Sequence, residues 1–320
     1  MKFNCDFTNW NFNLDLKKDF RFNKIEIDIY TKKKIFNKLY DSYYRPQIIS
    51  KFLNVSRYLI AKWIKELGYD NSEYWVLKDH NIDPTFFEKI DTEGKAYILG
   101  LLYSDGWVRD HDFGIELRDY DKDILINIKN ILNTNYEIKS IIQKYNNKTK
   151  YQLRIYSKKI SRDLIKLGCV KNKSLILKFP NFSIVPENLI KHFIRGYFDG
   201  DGSVSHHSKN ILNNIKINFS GCVSFIYPLK KYLNEINILP DNKINFGKDK
   251  ERKIFCTMEW NGKNNLISLY NYLYKDANYF GSRKKAKFDE IICAINEKLL
   301  IESRLIAGKP ETVISSQATM

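Results

Sequence analysis

The chain has 320 residues, a formal net charge of +16, 43% hydrophobic and 14% aromatic residues. That is long enough for two or three domains with real cores, and its basicity points to a polyanionic partner, most commonly nucleic acid, with a solvated lysine-rich surface as the plain alternative. The five cysteines show neither Cys-x-x-Cys nor Cys/His zinc spacing, which argues against a zinc module and for reduced thiols of an intracellular protein. No apolar run reaches the length of a membrane span. The opening, polar and aromatic, does not resemble a secretory leader.

The first zone, about 1–80, opens on a stretch (residues 1–24) that the sequence leaves unassigned. It continues with "IISKFLNVSRYLIAKWIKELGY", which predicts helix, turn, helix. Ile48, Ile49, Phe52 and Leu53 give the first helix an apolar face. Asn54 suits a left-handed turn and Ser56 an N-cap. Leu59, Ile60, Trp63, Ile64 and Leu67 repeat at helical spacing, and Gly68 is a natural stop. Arg57, Tyr58, Lys62 and Lys65 fall off that stripe, so the second helix reads as a basic, exposed recognition helix of a helix-turn-helix unit. The alternative is an ordinary helical hairpin.

Next come two stretches with one plan. "YILGLLYSDGWV" starts at Tyr97 and "FIRGYFDGDGSV" at Phe193, and Gly100, Ser104, Asp105 and Gly106 match Gly196, Gly200, Asp201 and Gly202 at a constant offset. Glycine inside a helix costs about 1 kcal/mol against alanine, so small residues four apart call for a reason. Gly100 with Ser104, and Gly196 with Gly200, form smooth grooves through which two helices can approach backbone to backbone. Asp105 and Asp201 then emerge together. Paired carboxylates at a basic surface repel each other unless a hard cation lies between them, with helix C-terminal carbonyls as further ligands. The pattern suggests metal-dependent phosphodiester hydrolysis.

Each motif opens a repeat, about 81–180 and 181–301, that reads α-β-β-α-β-β-α. Strands are expected at "DFGIELR", "NYEIKSIIQKY" and "KYQLRIYS", and again at "NIKINFS", "NKINFGK" and "KIFCTMEW". One face of each sheet is apolar. The other carries candidate DNA-contacting residues: Glu116, Arg118, Lys139, Lys150, Gln152 and Arg154 in the first repeat, and Asn214, Lys216, Asn218, Lys243, Asn245 and Lys253 in the second. Residues 302–320 lack the aromatics of the rest and read as a flexible tail.

"ILGLLYSDG" (98–106) and "IRGYFDGDG" (194–202) resemble the two motifs of a double-motif LAGLIDADG homing endonuclease, over about 85–300. The resemblance implies an α+β fold: two pseudo-symmetric αββαββα repeats forming a DNA-binding saddle, joined here to a small, mostly helical N-terminal domain. It implies Asp105 and Asp201 as metal ligands, with backbone oxygens of Ser104 and Gly200, and Mg²⁺ or Mn²⁺ as cofactor. It places active-site lysines near Lys173 and Lys284, with Lys171 and Lys285 as neighbours that could serve instead. The implied partner is double-stranded DNA with a long, near-asymmetric site, cut by a monomer inside a bacterial, phage or organellar compartment. An RNA-binding intron maturase on the same fold and a non-cleaving DNA-binding regulator are the alternatives. Tyr103 stands where the family often has an acidic residue. The chain lacks the terminal residues of a complete intein.

Overall fold

The computed structural model describes residues 28–41, 46–67, 80–143, 147–170, 176–206, 210–246 and 254–307. The chain divides into two compact units, Met1–Asn81 and Ile82–Met320.

In the first unit, helices α1 (Ile29–Asp41), α2 (Pro46–Leu53) and α3 (Arg57–Glu66) pack around Phe36, Ile49, Leu53, Ile60, Trp63 and Ile64. Phe36 and Trp63 meet with ring centroids 5.1 Å apart. The turn between α2 and α3 is built as its sequence predicts. Asn54 sits at φ 48°, the Ser50 hydroxyl donates to the Val55 carbonyl at 2.7 Å, and the Ser56 hydroxyl caps α3 by accepting from the Leu59 amide. Helix α1 starts at Ile29, where the Asp28 carboxylate accepts from the Tyr30 and Thr31 amides. The sequence pattern does not predict this helix, because its lysines interrupt the apolar stripe. The expected stop at Gly68 lies outside the described residues.

The second unit holds two copies of one plan. The first runs α4 (Glu93–Ser104), β1 (Gly106–Val108), β2 (Asp112–Arg118), α5 (Lys122–Ile131), β3 (Ile138–Ile142), β4 (Thr149–Tyr156) and α6 (Lys158–Lys166). The second runs α7 (Glu187–Asp201), β5 (Gly202–Ser205), β6 (Lys216–Cys222), α8 (Val223–Glu235), β7 (Ile244–Asn245), β8 (Phe255–Asn261) and α9 (Lys263–Leu273). Each copy makes a four-stranded antiparallel sheet, in the orders β1-β2-β4-β3 and β5-β6-β8-β7. The fold is therefore α+β with internal duplication. Phe113, Ile115 and Leu117 are buried on β2, as are Ile217 and Phe219 on β6. The alternation expected from period-2 patterning thus holds on the core face.

Three local expectations change. Asn214 is not in a strand: it holds φ 52° in the turn before β6, a conformation asparagine tolerates better than most residues. The strand expected over "NKINFGK" shortens to Ile244–Asn245, with Lys243 just ahead of it. Asp112, which the alternation within "DFGIELR" puts on the polar face, is completely buried. It is satisfied there by the Arg154 guanidinium and by the Trp107 indole N–H at 3.2 Å.

A further helix, α10 (Ser282–Ala307), follows the second copy and runs past the boundary expected at residue 301. Lys284, Phe288, Ile291 and Ile295 are its buried positions. Their 4-3-4 spacing was the available signal, obscured by the lysines around it.

Candidate functional site: the seam between the motif helices

Helices α4 and α7 run side by side in the same direction, with almost no space between them. A Cβ on Gly100 would lie 2.1 Å from the Phe193 carbonyl oxygen and 2.8 Å from the Tyr197 nitrogen. A Cβ on Gly196 would lie 2.1 Å from the Tyr97 oxygen and 3.0 Å from the Leu101 nitrogen. The two sets of contacts are related by the same offset as the motifs, so the seam is a two-fold contact of backbone on backbone. One turn on, a Gly200 Cβ would meet the Ser104 hydroxyl at 1.9 Å and the Asp105 carboxylate at 2.8 Å. All four predicted interface residues are thus at the seam.

Parallel helices bring their C-termini to one place. Asp105 caps α4, its amide donating to the Leu101 carbonyl at 3.0 Å, and Asp201 ends α7. Both are exposed, and the charges of both help raise the Tyr197 hydroxyl above its usual range, although burial is the larger cause. Two helix-end dipoles and two carboxylates make this end of the seam strongly negative.

Lys284 answers that charge. Its ammonium donates to the Phe198 and Gly200 carbonyls of the last turn of α7, at 2.7 Å each. The residue is 6% exposed. Burial pulls its pKa down to about 8, and the charges of Asp199 and Asp105 act in the opposite direction. With Arg283 and Lys287 it lines a cleft of about 330 Å³ against Gly200, Gly202, Ser203 and Val204. Lys285, its alternative, points elsewhere, to Asp289 at 2.8 Å. Lys173 and Lys171 lie outside the described residues.

The donors at the seam are carboxylate and carbonyl oxygens, a set that suits a hard divalent cation. Among the described residues no group of three or more His, Cys, Asp or Glu is placed to hold a metal ion. A cation here would need water or phosphate oxygens to fill its shell.

The family model described as the LAGLIDADG-like domain matches residues 93–167 and 188–292, over half of the chain. The chain belongs to this LAGLIDADG-like family. No curated protein matches it. Among solved structures it is similar to the homing endonuclease I-WcaI bound to its DNA recognition sequence (14% identity, TM-score 0.45, 62% of this chain and 87% of that one). It is also similar to the LAGLIDADG homing endonuclease I-GzeII in complex with a DNA target (14%, 0.42, 68% and 92%) and to I-DmoI in complex with DNA and Ca (14%, 0.39, 62% and 97%).

On the LAGLIDADG sheets, the predicted polar residues fall into register. Glu116 faces Gln152, Gln152 faces Lys139, and Arg118 faces Lys150. These side chains are not all open to a partner. Glu116 accepts from Lys150 at 2.9 Å and from Gln152 at 3.3 Å, and Arg154 is held by Asp112 while stacking over Tyr156. In the second sheet Lys216 pairs with Glu259 at 2.9 Å, and Asn218 faces Glu259. Lys139, Arg118, Asn214, Lys243 and Asn245 are exposed; Lys253 lies outside the described residues. In the N-terminal unit, Arg57, Tyr58, Lys62 and Lys65 are all exposed on α3, Tyr58 at 81%.

Sequence reasoning missed the polar anchors beneath the seam. Glu93 opens α4 and accepts from the buried Arg195 of α7 at 2.6 Å and from the Asn278 amide at 2.8 Å. Arg195 also donates to the Tyr279 and Leu273 carbonyls. Asp199 accepts from the Tyr97 and Tyr274 hydroxyls and the Gly281 amide. Their partners are 75 or more residues away in sequence, so spacing carries no trace of them.

Proposed function

We propose that the protein is a site-specific endonuclease that breaks both strands of double-stranded DNA by metal-dependent hydrolysis. The observation that carries this reading is the seam: two motif helices in backbone contact, ending together on Asp105 and Asp201. Close packing needs the glycines but has no use for two carboxylates at one end.

In this reading Asp105 and Asp201 hold Mg²⁺ or Mn²⁺, joined by backbone oxygens of Ser104 and Gly200. A divalent cation held there would activate water and offset charge on the leaving oxygen. Lys284 keeps an ammonium beside the last turn of α7 and offsets charge that builds up on phosphate oxygens. Arg283 and Lys287 draw the DNA backbone towards the cleft. Lys173 is the counterpart of Lys284 in the first repeat.

Two duplicated sheets supply a long contact surface with non-identical side chains, which suits a long, near-asymmetric site read by a monomer. Arg118, Lys139, Lys150, Gln152 and Arg154 with Glu116, and Asn214, Lys216, Asn218, Lys243, Asn245 and Lys253, contact bases and phosphates. The N-terminal unit, 1–80, extends the site through the exposed basic residues of α3, in the manner of a helix-turn-helix.

Selection of cleavable sites from a randomised DNA library tests this, with Mg²⁺, with Mn²⁺ and with a chelator. The expected result is one enriched site, cut only with metal. Recovery of no cut site, alongside tight binding of structured RNA, would replace the nuclease with a maturase.

A further inference from the structure

The two motifs differ at several positions, and one of these differences changes what the motif helix holds. Tyr103 and Asp199 are equivalent by the constant offset, and each reaches to the end of the closing helix of its own half. The Tyr103 hydroxyl donates to the Leu167 carbonyl just after α6, at 2.6 Å. It fills the space beside Gly168, at φ +97°, where a Cβ would lie 2.0 Å from it.

Asp199 does more. Its Oδ1 accepts from the hydroxyl of Tyr274, the C-cap of α9, at 2.6 Å. Its Oδ2 accepts from the Tyr97 hydroxyl at 2.8 Å and the Gly281 amide at 2.6 Å. Gly281 immediately precedes α10, and a Cβ there would lie 3.3 Å from the Asp199 carboxyl carbon. One turn into α10, Lys284 reaches back to the Phe198 and Gly200 carbonyls, on either side of Asp199. The start of α10 is thus stitched to the last turn of α7 from both sides of one residue. The side chain is 3% exposed and does not reach the open seam as Asp105 and Asp201 do.

We propose that Asp199 is a positioning residue: it fixes the start of α10 against the end of α7, and so sets where the Lys284 ammonium stands. Tyr97, from the first repeat, supplies one of the three donors, so the clamp also ties Lys284 to the opposite motif helix. A carboxylate that takes three donors needs both oxygens as acceptors. An amide offers only one, and must turn its N–H₂ towards a donor. Asp199→Asn therefore removes part of the clamp at nearly constant volume.

The functional half of the inference rests on the nuclease reading; the structural half does not. The experiment uses the full chain. It measures amide hydrogen exchange through residues 278–288, the DNA dissociation constant, and strand-resolved single-turnover cleavage of the selected site. The expected result for Asp199→Asn is loss of exchange protection confined to the start of α10, unchanged DNA affinity, and cleavage of one strand slowed by about 100-fold, the size expected for a misplacement near 1 Å. Tyr103→Phe should leave exchange at 281–284 as in the wild type. Tyr274→Phe, which deletes one donor and keeps the ring, serves if Asp199→Asn does not fold. Unchanged exchange and unchanged strand rates would overturn the inference. So would an equal slowing of both strands with protection lost throughout the second unit, since that describes a general loss of stability. If the wild type cuts no DNA, the nuclease reading fails, and the exchange experiment still decides whether the clamp exists.

Discussion

Replacing either seam glycine with alanine is the smallest change that tests the helix contact. At Gly196 the new methyl would sit 2.1 Å from the Tyr97 carbonyl oxygen, where ordinary contact begins near 3.4 Å. The obstacle is backbone, which cannot rotate away, so the helices must part by roughly an ångström. A gap of 0.5–1 Å forfeits about a quarter to a half of each contact along the seam, and overpacking of this kind costs about 1–3 kcal/mol or more. The alanine returns about 1 kcal/mol through helix propensity. We expect a net loss of about 2 kcal/mol, since the clash is with backbone and is placed at the upper end of the overpacking range. That corresponds to about 4–8 °C in Tm for a unit of this size. Gly100→Ala should match it, because its methyl meets the Phe193 oxygen at the same 2.1 Å. The double variant should cost less than the sum, since the first methyl has already parted the helices. Thermal and denaturant melts of the two single variants and the double variant read this directly. A Gly196→Ala melt that overlays wild type would refute the close contact, and strict additivity would refute the two-fold seam.

Asp105→Asn and Asp201→Asn should each abolish double-strand cleavage while leaving DNA affinity nearly intact; normal cutting by either in Mg²⁺ would remove the proposed site. The pKa of His192 is lowered to about 4 from 6.5, by burial first and then by Arg195, against the pull of Glu93. The unfolded chain therefore takes up a proton that the folded one refuses as pH falls from 6.5 towards 4. This stability is present above pH 6.5 and lost below it, and His192→Gln should show a shallower decline across that window in denaturant titrations. A chain starting near Asp83 should still cut, with weaker binding and a shorter footprint, and the salt slope of log K should fall by about 0.9 for every phosphate that the shortened chain no longer neutralises. An unchanged footprint and slope would make residues 1–80 a structural flank.

The duplicated motif was legible in the sequence because close helix packing demands small residues at fixed spacing, and the same four positions recur in both copies. Sheet alternation was legible for the same kind of reason: one face is core. Family resemblance, and not spacing, singled out Lys284, which the structure puts beside the last turn of α7. The buried polar residues were not. Asp112 and Arg195 are buried because of Arg154, Glu93 and the carbonyls of Leu273 and Tyr279, all distant in sequence. A charge is buried because of what it meets across the fold, and no window along the chain contains that partner. Helix α10 was missed because a lysine holds the first position of its buried stripe and more lysines surround it in sequence.

Backbone-on-backbone contact at the seam has a consequence for how such a protein can change over generations. The spacing of Asp105 and Asp201 is set by main-chain atoms, which every residue type shares, and by the absence of two methyl groups. The atoms that meet the seam glycines belong to the two helices themselves and not to the polar sheet residues. Under the proposed function, substitutions along β2, β4, β6 and β8 alter which bases are met while the ruler between the two carboxylates keeps its length. In that reading recognition is left free to drift, while the pair of carboxylates is inherited at one spacing.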